Sequence, residues 1–244
     1  MKYNINAVIL AGGKGTRMNN PELPKCATMF LGKPMVNHII DTLREVKVDK
    51  IVVVVGYKKE KLISLIPDDC ICVTQEEQLG TADAMMATKD VLIGDIKSIT
   101  LIIPGDMPLI SKDMIINMIE DHIKKDNALT VMTSILDNPM MYGRILRNGE
   151  NIVRIVEYKD CNEEQKKIKE INVGVYAIDN ELLFSALSKV NNKNKQHEYY
   201  LTDIVYILGK DYKVDSFIVK DDYHVVGIND MVTLKELENT LLNK

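Results

Sequence analysis

An alternation of two hydrophobic periods constrains the fold of this chain more than any other feature. Short runs rich in β-branched residues occur at Ala7–Ala11, Lys50–Val55, Ile71–Thr74, Ser98–Ile103 and Ala128–Ser134. Segments with helical spacing separate them, at Pro34–Val46, Lys59–Ile66, Thr81–Val91 and Ser111–Lys125. Near-continuous apolar strands joined by helices predict βαβ crossovers and a mostly parallel sheet covered on both faces. The helix boundaries agree: Pro34 suits a first turn, Ser111 can cap the run from Lys112, and Asp113 favours the positive end of that helix.

After about residue 140 the pattern changes. Tyr142–Arg147, the pair Asn148-Gly149 and Ile152–Tyr158 predict a β-hairpin, because Asn-Gly is a strong two-residue turn signal. Glu170–Ile178 predicts a further strand, and Asn180–Ser188, Glu198–Leu208 and Asp230–Leu242 predict helices. The polar tract from Asn191 to Lys195 is short, and the chain has no linker, repeat or low-complexity stretch. The expectation is one α/β domain over residues 1–244, its C-terminal part elaborating the same sheet.

Charge and cysteine content narrow the function classes. Lys and Arg number 31 against 35 Asp and Glu, a net charge of −4. That balance argues against nonspecific binding to nucleic acid or anionic membrane, which needs a basic surplus. No run approaches the roughly 20 apolar residues of a membrane span. The start, Met1-Lys2-Tyr3-Asn4-Ile5-Asn6, lacks the apolar core of a secretory signal. Cys26, Cys70, Cys72 and Cys161 form no CxxC and no zinc spacing, so four free thiols and a cytoplasmic location are expected. His38, His122, His197 and His224 lie in unrelated contexts, and none is expected to be catalytic. Oligomeric state is not legible.

The strongest local motif is Val8-Ile9-Leu10-Ala11-Gly12-Gly13-Lys14-Gly15-Thr16-Arg17-Met18, an apolar strand running into a glycine-rich turn. In open α/β sheets the ligand crevice lies at the carboxyl ends of the strands, and glycines there let backbone N–H groups approach phosphate oxygens. Two common phosphate loops do not fit. The dinucleotide fingerprint GxGxxG fails at Met18, and every Gly-Lys pair lacks the Ser or Thr that a P-loop requires. What fits is Leu-x-x-Gly-x-Gly-Thr-Arg-Met followed by Pro24-Lys25.

With those residues the sequence resembles the sugar-1-phosphate nucleotidyltransferases, and most of all the pyrophosphorylase half of bacterial bifunctional N-acetylglucosamine-1-phosphate uridylyltransferases. The likeness continues in order through Gly32-Lys33-Pro34-Met35, Gln75–Ala82, Gly105–Leu109 and Tyr142–Ile145. It then runs through Val156–Asp160, Glu170–Gly174, Tyr199–Asp203 and Val226–Asp230. The resemblance implies a Rossmann-like sheet of the nucleotide-diphospho-sugar transferase type, with a hairpin-containing sugar-binding subregion. It implies transfer of a uridylyl group from UTP to N-acetylglucosamine 1-phosphate, with pyrophosphate leaving. A phosphate monoester with a second pKa near ~6 is already largely ionised at neutral pH, so such a nucleophile needs no general base.

By that resemblance Arg17 and Lys25 are the catalytic cations. Asp106 and Asn229 hold Mg²⁺, although Asn229 is also a good N-cap for the last helix. Leu10, Ala11, Gly12, Gly13, Gly15 and Thr16 surround the triphosphate, and Gln75, Gly80 and Thr81 choose the base. A glutamine amide offers both a donor and an acceptor, matching the uracil edge; Thr81 suits a helix cap equally. Gly143, Glu157, Asn172 and Thr202 meet the sugar. Tyr200 is either the wall of an acetyl pocket or a core tyrosine, and Lys159 either meets the sugar phosphate or lies on the surface.

Three departures stand out. The acetyltransferase half of the bifunctional relatives has no counterpart in the 244 residues; Cys26-Ala27-Thr28-Met29-Phe30 replaces a more aliphatic pattern; and Val173 and Asp83 stand where relatives often have Thr and His. The last two bear on the acceptor rather than on the reaction class. The alternatives are the same chemistry with another sugar 1-phosphate or with dTTP, and a non-catalytic nucleotide-sugar-binding relative.

Overall fold

The computed structural model describes residues 3–18, 20–220 and 223–243; Met1 and Lys2 of the polar N-terminal stretch lie outside them. The first half carries β1 (Asn4–Leu10), β2 (Met29–Phe30), β3 (Lys33–Pro34), α1 (Met35–Val46), β4 (Lys50–Val55), α2 (Lys59–Ile63), β5 (Ile71–Thr74), α3 (Thr81–Met86), α4 (Lys89–Leu92), β6 (Ser98–Pro104) and α5 (Lys112–Lys125). The second half carries β7 (Leu129–Ile135), β8 (Arg144–Asn148), β9 (Asn151–Val156), α6 (Glu163–Lys166), β10 (Glu170–Asp179), α7 (Asn180–Leu187), α8 (Asp203–Leu208), β11 (Val214–Val219) and α9 (Met231–Leu242).

The main sheet runs β11-β7-β10-β6-β1-β4-β5, and β8 and β9 extend it from β10. β1, β4, β5 and β6 are mutually parallel, as are β7 and β11; β10 is antiparallel to both its neighbours. This is the expected mixed, mostly parallel α/β sheet. Alternation within β1 shows why its run is apolar throughout. Ile5, Ala7 and Ile9 join the cluster under α1 and α5, whereas Val8 joins the cluster under α3, α7 and α8. A smaller third cluster packs Met18, Phe30 and Met35 against Ile228, Leu234 and Leu237, which docks α9 beside the glycine loop.

Several local expectations are corrected. The hairpin turn is Gly149-Glu150 rather than Asn148-Gly149, because Asn148 pairs with Asn151 and Gly149 takes the left-handed φ of +61°. Thr81–Val91 is two short helices. Residues 198–202 are not helical, since their backbone bonds to the start of α3: Tyr199 N to Leu79 O at 2.8 Å, and Ala82 N to Tyr199 O at 2.9 Å. Val226–Asn229, whose apolar start also suits a strand end, forms no strand; Ile228 N instead donates to Asp106 O at 2.8 Å. β11 was not anticipated. Ser111 does cap α5, accepting from Met114 N at 3.3 Å. Among the described residues no helix is long and apolar enough to cross a membrane.

Candidate active site

Parallel pairing puts the ends of β1, β4, β5 and β6 on one rim of the sheet. Backbone bonds lace the loops that follow them. Gly105 N donates to Leu10 O at 2.9 Å, Ala11 N to Val54 O at 2.9 Å and Tyr57 N to Gly12 O at 3.0 Å. β10 enters the same rim by its N-terminal half, because it runs antiparallel to β6. A cavity of about 530 Å³ opens there. Leu10, Gly12, Gly13, Lys25, Gln75, Gly80, Thr81, Asp106, Glu157, Asn172 and Thr202, all singled out by sequence, line it. Gly15 and Thr16 face an adjoining cleft that shares Lys14 with it. Ala11 is buried in the core beneath the loop.

The ionic end of the cavity is a four-residue knot. Lys25 Nζ pairs with Asp106 Oδ2 and donates to Asn229 Oδ1 at 2.7 Å, and Arg17 Nη2 donates to the same Asn229 oxygen at 2.9 Å. The glycine loop permits this closeness. Gly15 has φ +63°, and a Cβ there would sit 2.5 Å from Lys25 Cβ. Lys25 itself rides on a 3₁₀ turn, Lys25–Ala27, entered from Pro24. Asn229 arrives from the far end of the chain because Ile228 is fully buried in the third cluster. The cap of α9 is Asp230, whose Oδ1 accepts from Thr233 N at 2.8 Å, so the Asn229 amide is left to the knot. Two oxygen donors therefore already gather round one cationic atom. Such a pair suits Mg²⁺, which commonly takes one or two protein oxygens and completes its shell with phosphate and water. Among the described residues no group of three or more His, Cys, Asp or Glu forms a metal cage.

The other end is enclosed and hydrogen-bonded. A bulge in β10 between Asn172 and Tyr176 turns Asn172 towards the rim, with Gly174 at φ +90° tight against Pro104. Asn172 Oδ1 accepts from Gly174 N at 3.0 Å, and its Nδ2 donates to Tyr176 Oη at 2.7 Å. Thr202 Oγ1 donates to Glu157 Oε1 at 3.2 Å. Burial pushes the Glu157 carboxyl above the usual range, and the Thr202 bond pulls the other way. Gly143 lies against both residues: a Cβ there would stand 3.5 Å from Glu157 Oε2 and 3.6 Å from Asn172 Cβ. Gly80 could hardly be another residue, since at φ +129° a Cβ would come within 2.4 Å of Tyr199 O. Thr81 does not cap α3 with its side chain; its hydroxyl accepts from Leu201 N at 2.9 Å and so ties the base side to the sugar side.

Gln75 differs from its expectation in one respect. Both amide hydrogens are engaged, with Gly80 O at 3.0 Å and Asp83 Oδ2 at 2.8 Å, leaving only Oε1 beside Gly12. Two further expectations settle on packing. Tyr200 is buried with its hydroxyl accepting from Gln196 at 2.7 Å, and burial pushes its phenol up to about 12; it lines a neighbouring cavity rather than this one. Lys159 donates to Gln196 Oε1, away from the sugar residues. The four cysteines are free, and burial raises each thiol, which disfavours the thiolate. His38 bonds to Phe30 O, and His122 to Thr130 and Asp179, remote from the knot.

Sequence reading missed Arg144. It is 2% exposed and has no carboxylate partner among the described residues; its guanidinium donates to Met140 O at 2.9 Å, Pro139 O at 3.2 Å, Lys166 O at 3.4 Å and Tyr142 O. It thereby clamps the loop that presents Gly143. No local signal announces such a role, because every acceptor is backbone carbonyl.

A glycine-rich strand end, a cation knot and a hydrogen-bonded pocket on one sheet rim define a nucleotide-handling enzyme fold. Comparison makes the class definite: the Nucleotidyl transferase family profile matches residues 6–232, and the chain belongs to that family. Among curated proteins it is similar to Bifunctional protein GlmU. It is 40% identical to that of Clostridium perfringens (strain SM101 / Type A) over 98% of this chain and 52% of the relative. It is 41% identical to that of Acholeplasma laidlawii (strain PG-8A) over 96% and 51%. The chain thus spans about half the length of the curated relatives it matches. A Bacillus anthracis crystal structure, described as a glucose-1-phosphate thymidylyltransferase in complex with a sucrose, superposes with TM-score 0.72 over 97% of this chain and 94% of that one. At 17% identity that likeness speaks for the fold alone.

Proposed function

We propose that the chain transfers a uridylyl group from UTP to N-acetylglucosamine 1-phosphate, giving UDP-N-acetylglucosamine and pyrophosphate. The observation that carries this reading is that Lys25 and Asp106 line one end of a cavity whose lining also holds Gln75, Glu157 and Asn172, with Asn229 and Arg17 hydrogen-bonded on to Lys25 beside it. The likeness to the bifunctional relatives supports the choice of base and sugar.

The acceptor phosphate oxygen attacks the α-phosphorus as pyrophosphate departs. The nucleophile is already anionic, so a lining with no histidine among the described residues, and with one thiol, Cys26, that burial pushes up to about 12, agrees with the chemistry. The chain must supply charge and alignment. Lys25 uses two of its three N–H donors on Asp106 and Asn229, which aims the third at a phosphate oxygen. Arg17 uses one donor on Asn229 and keeps the rest of its fork for the leaving pyrophosphate. Asp106 and Asn229 would hold Mg²⁺ through the oxygens that here bind Lys25 and Arg17, which would free those two cations for the phosphates, and the ion's charge would offset that of the phosphates. Glu157 and Asn172 receive the sugar hydroxyls and acetamido group, and the glycine loop offers N–H groups to the triphosphate.

The test is pyrophosphate release from a matrix of triphosphates (UTP, dTTP, CTP) and sugar 1-phosphates (N-acetylglucosamine, glucose). The expected result is highest kcat/KM for UTP with N-acetylglucosamine 1-phosphate. A preference for dTTP or for glucose 1-phosphate would reassign the substrate, and binding without turnover in any combination would make the chain a non-catalytic relative.

A further inference from the structure

We infer that Asp83 is a specificity-determining positioning residue, which locks the Gln75 amide so that this side chain presents only a hydrogen-bond acceptor to the base and selects bases carrying a ring N–H. This deepens the uridylyl-transfer reading above and rests on it.

The argument begins with valence. A side-chain amide has one oxygen end and one NH₂ end, and their assignment follows from their neighbours. One end of Gln75 meets Gly80 O at 3.0 Å and Asp83 Oδ2 at 2.8 Å. A carbonyl and an ionised carboxylate only accept. That end must be NH₂, and the reverse orientation would set oxygen against two oxygens. Gln75 is 6% exposed, so the mismatch could not be relieved by water. Among the described residues no donor reaches Oε1, which lies beside Gly12 on the cavity lining, 3.0 Å from where a Cβ on Gly12 would stand.

Asp83 decides this orientation most strongly. With Gly80 O alone, one N–H would be held and the other left without a partner in a closed site. The carboxylate supplies the second acceptor, and the bond to it is charge-assisted. Asp83 sits in the first turn of α3, so the same helix start that carries Gly80 and Thr81 carries the lock.

The chemical consequence is a one-way edge. Uracil and thymine carry N3–H, a donor that Oε1 can accept. Cytosine offers a bare ring nitrogen at the same place, which puts acceptor against acceptor. A freely turning Gln75 would serve either base. Asp83 never touches the base itself, and its role is discrimination rather than chemistry.

The experiment measures kcat/KM for UTP and CTP in wild type, Asp83→Ala, Asp83→Asn and Gln75→Ala, with thermal melts as the check on folding. Asp83 is partly exposed on a helix, where alanine is well tolerated. In Asp83→Ala the UTP-to-CTP ratio should fall about tenfold or more, the worth of one buried hydrogen bond. The loss should fall on KM for UTP rather than on kcat. Asp83→Asn, which can still turn an oxygen to Gln75, should keep the ratio within about threefold. An unchanged ratio in Asp83→Ala, or an equal collapse in Asp83→Asn, overturns the inference. If wild type itself does not separate UTP from CTP, or Gln75→Ala keeps the full ratio, the uridylyl reading of the pocket fails instead.

Discussion

The two ends of the cavity are built on opposite principles. At the ionic end Arg17 is exposed, and loops far apart in sequence bring it to Lys25, Asp106 and Asn229 by charge and a few hydrogen bonds. At the hydrogen-bonded end Glu157, Asn172 and Thr202 sit in packed backbone, held by a bulged strand and by the carbonyl clamp of Arg144. The difference teaches where each kind of energy goes. Charge at an open rim suits groups whose charge changes, whereas in a packed pocket an unmatched polar group is left without water and costs more.

The largest expected effect is at Lys25. Lys25→Ala should reduce kcat by on the order of 10²–10³, the usual cost of losing a preorganised electrostatic group. Circular dichroism and single-turnover kinetics would check that the fold persists while the chemical step slows. Removal of divalent cations by EDTA should abolish pyrophosphate release, with Mg²⁺ restoring it. Full activity in chelator would detach Asp106 and Asn229 from any metal role.

Two arginines sharpen the contrast further. Arg144→Ala removes a buried side chain and the shared donor of four loop carbonyls, and calorimetry should show a stability loss of roughly 2–4 kcal/mol. Arg17→Ala should leave the melting temperature nearly unchanged and slow turnover. If the two variants behaved alike, the division between a responsive rim and a packed pocket would collapse.

The smallest effect is a pH slope. Burial raises the Glu157 carboxyl, so the folded chain keeps that proton to higher pH than the unfolded chain. Its contribution to stability is full below the ordinary carboxylate pKa and is lost as pH rises through the raised value. Glu157→Gln stays neutral, so its melting temperature should gain on wild type as pH rises above about 4. The same variant should raise KM for the sugar phosphate.

The pattern of legibility follows from what each element depends on. β1, β4 and β6 were readable because burial on both faces demands unbroken β-branched runs, and β5, at the sheet edge and only partly buried, because its short Ile-Cys-Val-Thr run is itself β-branched. The Gly12–Arg17 loop and Lys25 stood out because backbone approach and charge leave marks in the residues themselves. β11 was missed: at the sheet edge its pattern Val-Asp-Ser-Phe-Ile-Val shows neither continuous nor alternating hydrophobicity. Residues 198–202 read as helix, but bonds to Leu79 and Thr81 override that local preference. Asn229 read equally as a cap, and only the observed cap at Asp230 frees it for the knot. The lock on Gln75 was out of reach of sequence, because it depends on which end of an amide faces Asp83.

A second cavity of about 580 Å³, lined by Arg154, Asp203, Tyr206 and Lys210, matches the first in size, so volume alone does not choose between them. A crystal structure with UDP-N-acetylglucosamine and Mg²⁺ would choose directly. The account predicts the diphosphate beside Arg17 and Lys25, the ring N–H on Gln75 Oε1 and the sugar against Glu157 and Asn172. A nucleotide seated by Arg154 and Lys210, or a diphosphate turned away from Lys25, would contradict it.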